Sequence, residues 1–305
     1  MTEHWPSPPV PTAALMLRGR RFDAAHPAVM GIINRTPDSF YASARYDVVA
    51  GLEALDRMLA DGADLIDVGG VRAGQEGPAV SAAEEIERVL PFLLAARERH
   101  PEVILSLDTW RGEVAGACAV AGVDLVNDTW AGADPELVSV AADIGAGYVV
   151  SHTGGLPPRT DPVAVTYGDD PEAVVRDVLA TLAAGAARAV AAGVPAERVL
   201  VDPTLDFGKT TRHSLRVLRA TGAVAGLGFP VLQALSRKDF VGETLDVPVD
   251  ERLYGTLAAT AVAGWLGTTV FRAHDVAATR QVADMVASIR GDRPPRVAVR
   301  GEPPG

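Results

Sequence analysis

The chain of 305 residues repeats one local pattern eight times. Each repeat is a short run of β-branched and other apolar residues, a polar residue, a loop and a segment with helical periodicity. The eight predicted strands span 28–34, 64–70, 103–109, 124–129, 147–153, 199–204, 230–237 and 269–275. Strands that alternate with helices form parallel sheets, and eight units of roughly 35 residues are typical of a (β/α)8 TIM barrel.

The predicted helices lie between these strands. They span 47–60, 82–99, 135–144, 171–192, 251–266 and 276–290, with two weaker helices around 111–121 and 213–225. A doubly wound open sheet is the alternative fold, but it usually has fewer strands, and no Gly-x-Gly-x-x-Gly sequence follows the first strand. We therefore predict one α/β domain. It consists of an N-terminal extension at 1–27 with a possible hairpin over 15–23, a barrel at 28–291 and a tail at 292–305.

Composition excludes several functional classes. The formal net charge of −11 is unfavourable for a general nucleic-acid binder, although an acidic protein can bind a small anion through a local basic cluster. Cys118 is the only cysteine, so it forms no internal disulfide, and its alanine-rich surroundings predict a buried structural residue. An apolar stretch of about 18 residues and a signal-like N-terminus are both absent from the sequence. We expect a cytoplasmic protein without nucleic-acid or membrane partners.

Every predicted strand ends in side chains that form hydrogen bonds or carry charge. They are Asn34, Asp67, Asp108, Asn127 with Asp128, His152, Asp202, Ser236 with Arg237 and Lys238, and Arg272 with His274. Taken singly, each also fits a helix cap or a structural contact. In a TIM barrel, however, these strand ends meet at one mouth, where active sites lie.

These residues form two chemical sets. One suits the edge of a flat nitrogen heterocycle, because a carboxylate accepts from two adjacent N–H groups and an amide both donates and accepts. Its members are Asp108, Asn127, Asp202 and Lys238. The other carries excess positive charge and suits a phosphate, a pyrophosphate or a carboxylate. Its members are Arg72, Arg272, His274 and Asn34.

Seven motifs resemble, in order and spacing, those of the dihydropteroate synthase family. They are GIINRTPDSF (31–40), DLIDVGG (64–70), LSLDT (105–109), NDTWAG (127–132), DPTLDFGK (202–209), LSRK (235–238) and FRAHD (271–275). The resemblance covers residues 28 to 290. It implies a homodimeric transferase that condenses 6-hydroxymethyl-7,8-dihydropterin diphosphate with 4-aminobenzoate, giving 7,8-dihydropteroate and pyrophosphate in folate biosynthesis.

The resemblance also implies a role for each matching residue. The pterin-binding residues are Asp108, Asn127, Asp202 and Lys238, and those for diphosphate and aminobenzoate are Arg72, Arg237, Arg272 and His274. Lys238, Arg272 and His274 are expected to be catalytic, and the side-chain oxygen of Asn34 is expected to help position Mg²⁺. A protein nucleophile is unnecessary, because the amine attacks the pterin methylene as diphosphate leaves, and the enzyme positions the reactants and stabilises that leaving group.

The chain departs from the family pattern at both substrate loops. After Gly70 the family has Glu-Ser-Thr-Arg-Pro-Gly, whereas this chain has Val-Arg-Ala-Gly at 71–74, two residues fewer. In the first loop, YASARY at 41–46 replaces a glycine-rich run. Asp206 and Ala234 replace glycines, and we expect them to crowd or repel a pterin.

Three functions therefore remain open. The chain is a working synthase with a variant loop, or a paralogue that keeps the pterin cleft for binding or regulation with weak or absent synthesis. A pterin-dependent methyltransferase-type domain shares the barrel but lacks the Arg-x-His pair that this chain has at 272–274. The small residues at 251–267 suit either a dimer interface or internal helix packing.

Overall fold

Eight parallel strands form a barrel in the computed structural model, which describes residues 13–35, 48–72, 79–160, 163 and 165–300. The strands are β3 (Ala28–Asn34), β4 (Leu65–Gly69), β5 (Ile104–Asp108), β6 (Leu125–Asn127), β7 (Gly147–Ser151), β8 (Val199–Asp202), β9 (Leu232–Ala234) and β10 (Val270–Ala273). They pair in the order β8-β7-β6-β5-β4-β3-β10-β9. A parallel bridge between Val201 and Val231 joins the two ends of this order. The predicted TIM barrel is confirmed.

Helices follow the strands around the barrel. They are α1 (Val48–Ala60), α2 (Ala82–Arg99), α3 (Gly112–Cys118), α4 (Leu137–Asp143), α5 (Ala173–Ala191), α6 (Thr211–Arg219), α7 (Thr221–Ala225), α8 (Asp239–Leu245), α9 (Leu253–Trp265) and α10 (Val276–Arg290). The predicted helix at 213–225 is two helices, and α8 was not predicted. In the part of the chain that is described, no helix has the length and apolar character needed to cross a membrane.

Alternation along the strands divides the core into two layers. In β4, Ile66 and Val68 face outward and pack with the helices, whereas Leu65 faces the barrel interior. The corresponding inward residues of the other strands, such as Ile104 and Leu125, form the lowest interior layer. Above that layer, the next inward positions of several strands carry polar side chains, such as Asp67, Ser106 and Asn127, and these build the site.

An N-terminal hairpin closes the lower end of the barrel. Its strands, β1 (Leu15–Leu17) and β2 (Arg20–Phe22), pair antiparallel, and Gly19 in the turn has a φ of 71°. Leu15, Leu17 and Phe22 are buried against the lowest interior layer. The Arg20 guanidinium lies 2.5 Å from the Asp64 carboxylate at the start of β4. The hairpin therefore closes the end opposite the strand-end residues.

Candidate functional site

Asp67 lies at the centre of the polar layer. It is fully buried in β4, two residues after the inward-facing Leu65. Its Oδ1 accepts a 2.5 Å hydrogen bond from Ser106 Oγ. Its Oδ2 accepts from Asn127 Nδ2 at 3.0 Å and from Arg272 Nε at 2.6 Å. One carboxylate thus fixes side chains from three other strands.

Arg272 joins two carboxylates. Its Nη2 donates to Asp108 Oδ2 at 2.8 Å, and Thr129 Oγ1 donates to Asp108 Oδ1 at 2.9 Å. Burial raises the pKa of Asp108 to about 7; the Arg272 guanidinium opposes this rise and the Asp67 carboxylate adds to it. With both carboxyls ionised, Arg272, Asp67 and Asp108 together carry one net negative charge. The structure therefore places Arg272 between Asp67 and Asp108, so its charge is shared between two carboxylates.

Two acceptors remain for a heterocycle edge. Because Asn127 donates its amide N–H to Asp67, its Oδ1 is left to accept from a ligand. Asp202 accepts from the backbone N–H of Thr204 through Oδ1 at 2.7 Å, which leaves Oδ2 as an acceptor. Burial raises the pKa of Asp202, and the nearby Lys238 ammonium opposes that rise. The amide orientation of Asn127 follows from this hydrogen-bond network.

Lys238 supplies the donor beside these acceptors. Its Nζ donates to the backbone carbonyl of Leu205 and lies 4.9 Å from the centre of the Phe207 ring. Phe207 packs edge-on against Trp130, with ring centres 5.4 Å apart. Burial lowers the pKa of Lys238, while the carboxylates of Asp206 and Asp202 act in the opposite direction.

Asp206 bonds to the protein through both carboxylate oxygens, and its predicted effect on a pterin remains a prediction. Its Oδ1 accepts from Ser214 Oγ at 3.0 Å, and its Oδ2 accepts from the backbone N–H of Phe240 at 3.2 Å, in the first turn of α8. The carboxylate therefore caps a neighbouring helix, where negative charge is favourable. Its φ of 70° lies in the left-handed region, which aspartate tolerates better than most residues. Ala234 follows the inward alternation of β9, so its predicted crowding of a pterin remains a prediction.

Two further residues predicted to bind an anion, His274 and Arg237, contact side chains of the protein at the mouth. His274 Nδ1 is 3.1 Å from Ser236 Oγ. Burial is the first cause that lowers the pKa of His274 and the Arg272 guanidinium is the second, although the residue as a whole is exposed. Arg237 donates to both carboxylate oxygens of Asp275, at 3.0 and 3.1 Å, and these contacts raise its pKa.

Asn34 and Arg72 are exposed at the mouth. Asn34 ends β3 and pairs in register with Gly69, while Arg72 follows β4 by three residues. Most of the two altered loops lies outside the described residues, which omit 36–47 and 73–78. The predicted effects of those loops therefore remain predictions.

Three buried side chains were absent from the predicted site sets. The sequence patterns place Asp67 at a strand end without a ligand role, and they assign no role to Ser106 or Lys209. Ser106 precedes Asp108 by two positions in β5, so strand alternation alone places it on the same interior face. Lys209 ends the DPTLDFGK motif but bonds only to backbone carbonyls, and no strand-end rule identifies such a residue.

Comparisons with known proteins agree with this geometry. The pterin binding enzyme family model matches residues 30–274. The chain is 53% identical to inactive dihydropteroate synthase 2 of Mycobacterium leprae, over 94% of this chain and 98% of that protein. It is 35% identical to dihydropteroate synthase of Haemophilus influenzae, over 87% of this chain and 94% of that protein. A solved dihydropteroate synthase of Coxiella burnetii in complex with pteroic acid has a TM-score of 0.81 at 29% identity, covering 92% of this chain and 100% of that chain. The chain therefore belongs to the pterin binding enzyme family, as a divergent dihydropteroate synthase-like paralogue.

Proposed function

We propose that the protein binds a pterin at the barrel mouth and condenses it with 4-aminobenzoate weakly or not at all. The observation that carries the proposal is the pair of fixed acceptors, Asn127 Oδ1 and Asp202 Oδ2, beside the Lys238 ammonium. The loop after Gly70, by contrast, lacks the Ser-Thr pair of the family pattern. The relative at 53% identity is named inactive, whereas the one named simply a synthase is 35% identical.

The pterin would be recognised by its alternating donor and acceptor edge. The acceptors of Asn127 and Asp202 suit the ring N–H and amino groups, and Lys238 suits the ring carbonyl oxygen. Asp108 contributes negative charge near a ring that becomes electron-poor when its methylene loses diphosphate. These contacts are built by strand ends of the barrel interior, so the site is already ordered before the ligand binds.

The diphosphate and the amine would depend on the outer residues. Arg272 and His274 would contact the diphosphate, while Arg72 and Arg237 would approach the aminobenzoate or the diphosphate. In this structure Arg237 is paired with Asp275 and Arg272 with two carboxylates, so both have competing partners. Retention of these pairs would weaken transition-state stabilisation more than pterin binding.

A magnesium ion fits the mouth only together with substrate. Asn34 offers one exposed side-chain oxygen at the end of β3. Among the described residues, no cluster of three or more His, Cys, Asp or Glu side chains is suited to a metal. Mg²⁺ commonly takes one or two protein oxygens, waters and substrate phosphates. We propose that Asn34 would hold Mg²⁺ in this way and that the ion, when bound, would neutralise charge on the diphosphate.

A working synthase is the second candidate. It is favoured by the presence of Lys238, Arg272 and His274 at one mouth, which the family resemblance marks as catalytic. The methyltransferase-type alternative is disfavoured, because Arg272 and His274 form the Arg-x-His pair at the end of β10 that such domains lack. Product formation separates the first two candidates, whereas pterin binding supports both.

The test combines calorimetry and a product assay. We expect binding of 6-hydroxymethyl-7,8-dihydropterin diphosphate with Mg²⁺ in the wild type and its loss in Asp202→Ala. Asp143→Ala, on the exposed side of α4, is the matched control and should bind normally. Absence of heat at millimolar ligand in the wild type would refute the pterin site. Dihydropteroate formation at about 10 s⁻¹, the usual enzyme median, would instead establish the working synthase.

We also propose a cytoplasmic homodimer that uses α9 and α10. Tyr254 and Val262 on α9, and Met285 and Ile289 on α10, are large apolar residues with exposed side chains. Covering these side chains would remove apolar surface from water. Sedimentation should give a dimer mass, and Met285→Glu with Ile289→Glu should shift it to a monomer. A monomer mass for the wild type at micromolar concentration would contradict the dimer.

A further inference from the structure

The turn between β8 and α6 has an unusual backbone. Thr204, Asp206 and Gly208 have φ angles of 49°, 70° and 62°, so three of its residues are in the left-handed region. At Gly208 an added Cβ would lie 2.1 Å from the backbone oxygen of Thr153. Non-glycine residues in this region persist when their surroundings fix them, and such outliers concentrate at functional sites. This backbone conformation therefore requires contacts from the surrounding residues that stabilise it.

Lys209 makes the contacts that hold it. The residue is 2% exposed, and its Nζ donates to the carbonyl oxygens of His152, Thr204 and Phe207 at 2.9, 3.0 and 2.9 Å. Three acceptors require three N–H groups, which only the charged ammonium provides. His152 follows β7 and Thr204 follows β8, so one ammonium fixes the ends of two neighbouring strands to the turn.

The same turn forms the surface on which Lys238 lies. The carbonyl of Leu205 accepts from Lys238 Nζ, and the Phe207 ring faces the same ammonium at 4.9 Å. Leu205 follows Thr204, and Lys209 binds the carbonyls of both Thr204 and Phe207. Each turn residue that contacts Lys238 is therefore itself a Lys209 acceptor or the chain neighbour of one.

Lys209 and Lys238 differ chemically from the other Lys and Arg residues of the chain. Of the 28 Lys and Arg residues in the chain, only Lys209 and Lys238 are lysines. The other Lys or Arg side chains are all guanidinium groups, whose N–H groups spread in one plane over three nitrogens, whereas the three carbonyls here converge on the single Nζ atom of Lys209. The only two ammonium side chains of the sequence thus meet at one turn beside the heterocycle edge.

We infer that Lys209 is a positioning residue for Lys238. Its ammonium fixes the β8–α6 turn so that the Leu205 carbonyl and the Phe207 ring hold the Lys238 ammonium beside Asp202. The inference deepens the proposed function and rests on it for the consequence in pterin binding. The effect of Lys209 on the position of Lys238, which the turn transmits, is however testable without any ligand.

Selective lysine labelling provides the test. Protein labelled with ¹³C at lysine Cε should give two side-chain signals, and Lys209→Met leaves only that of Lys238. We expect the Phe207 ring to shift the Lys238 Hε protons upfield in the wild type, with Phe207→Leu as the reference without a ring. In Lys209→Met the signal should move downfield toward that reference, as the Lys238 side chain leaves the face of the ring.

A matched control tests whether any loosening of the turn has the same effect. Tyr167→Phe removes a different bond to the turn, the 2.6 Å contact from Tyr167 Oη to the Gly208 carbonyl. It should leave the Lys238 signal in place. If Lys209→Met does not fold by circular dichroism, Lys209→Gln retains two donors and should give an intermediate shift. An unchanged Lys238 signal in a folded Lys209 variant, or an equal shift in Tyr167→Phe, would overturn the inference.

Calorimetry then measures the consequence for the ligand. Lys209→Met should weaken binding of the pterin diphosphate by at least about fivefold, the loss expected for one hydrogen bond. Wild-type affinity in a variant whose Lys238 signal has moved would refute the link to pterin binding. If the wild type binds no pterin, the proposed function fails, while the labelling result still decides whether Lys209 positions Lys238.

Discussion

Replacing Asp67 tests whether one buried carboxylate organises the pterin site. In Asp67→Ala, Ser106 Oγ, Asn127 Nδ2 and Arg272 Nε lose their acceptor together. Removal of one member of a buried ion pair costs about 3 to 5 kcal/mol, because the other charge is left buried. Since Asp108 still contacts Arg272, we expect the lower part of that range, about 3 kcal/mol in the free energy of unfolding.

Asp67→Asn is the matched variant. Its amide oxygen can accept from Asn127 and Arg272, and its NH₂ group can donate to the Ser106 hydroxyl, so the hydrogen bonds survive while the charge is lost. The bonds with Ser106 and Asn127 change from charge-assisted to neutral, at a cost of about 1 kcal/mol, while Arg272 keeps its ion pair with Asp108. We expect pterin binding to be lost in Asp67→Ala and retained within about tenfold in Asp67→Asn.

Urea unfolding and calorimetry provide the two readouts. A double-mutant cycle with Arg272→Met should show coupling, because removing both charges costs less than the sum of the single changes. Equal pterin affinity in the wild type and in a folded Asp67→Ala would refute the reasoning, since the orientation of the Asn127 amide would then not depend on Asp67.

Three further predictions follow from individual contacts. Asp206→Ala should lower the free energy of unfolding by about 1 kcal/mol, measured in urea, because α8 loses the acceptor at Phe240, and pterin affinity should change little. The Asp108 carboxyl takes up a proton as the pH decreases through about 7 and loses its negative charge, which should weaken pterin binding; because burial lowers the pKa of Lys209 to about 7 as well, calorimetry at pH 8 and pH 6 compares the wild type with Asp108→Asn, and equal profiles in the two would contradict the prediction. Replacing 71–74 by the six-residue Glu-Ser-Thr-Arg-Pro-Gly sequence should raise dihydropteroate formation with little change in pterin affinity, and an unchanged rate would show that the loop is not limiting.

Local sequence signals predicted the fold where they were strong. The bounds of β3 and α2 agree with the prediction, and α2 begins with a capping box in which Ser81 and Glu84 exchange hydrogen bonds. α8 was missed because it has only seven residues, includes Gly242, and receives its N-terminal acceptor from Asp206 in a distant turn. A cap from another segment leaves no local pattern.

The sequence predicted which residues lie at the barrel mouth better than it predicted which of them contact one another. Strand ends identify which side chains reach the mouth, because the barrel topology brings them together. They do not identify which side chains meet across the interior. Arg272 was assigned to an anion, yet it lies against Asp67 and Asp108, which face it from β4 and β5. Such pairings depend on strand stagger and barrel closure, which local patterns do not contain.

The candidate site has two parts, the strand-end residues that bond to one another and the substrate loops that depart from the family pattern. The size of the expected rate loss shows how much each part contributes to activity. Losing the two hydroxyl contacts of the Ser-Thr pair, at about 1 kcal/mol each, slows the reaction by about thirtyfold and does not abolish it. From a median of about 10 s⁻¹, the shortened loop alone therefore predicts a turnover of roughly 0.3 s⁻¹. A measured rate near this value would assign the defect to the loop. Turnover far below it requires a second cause, and the sharing of Arg272 between Asp67 and Asp108 supplies one, because the diphosphate must compete with two carboxylates for that guanidinium.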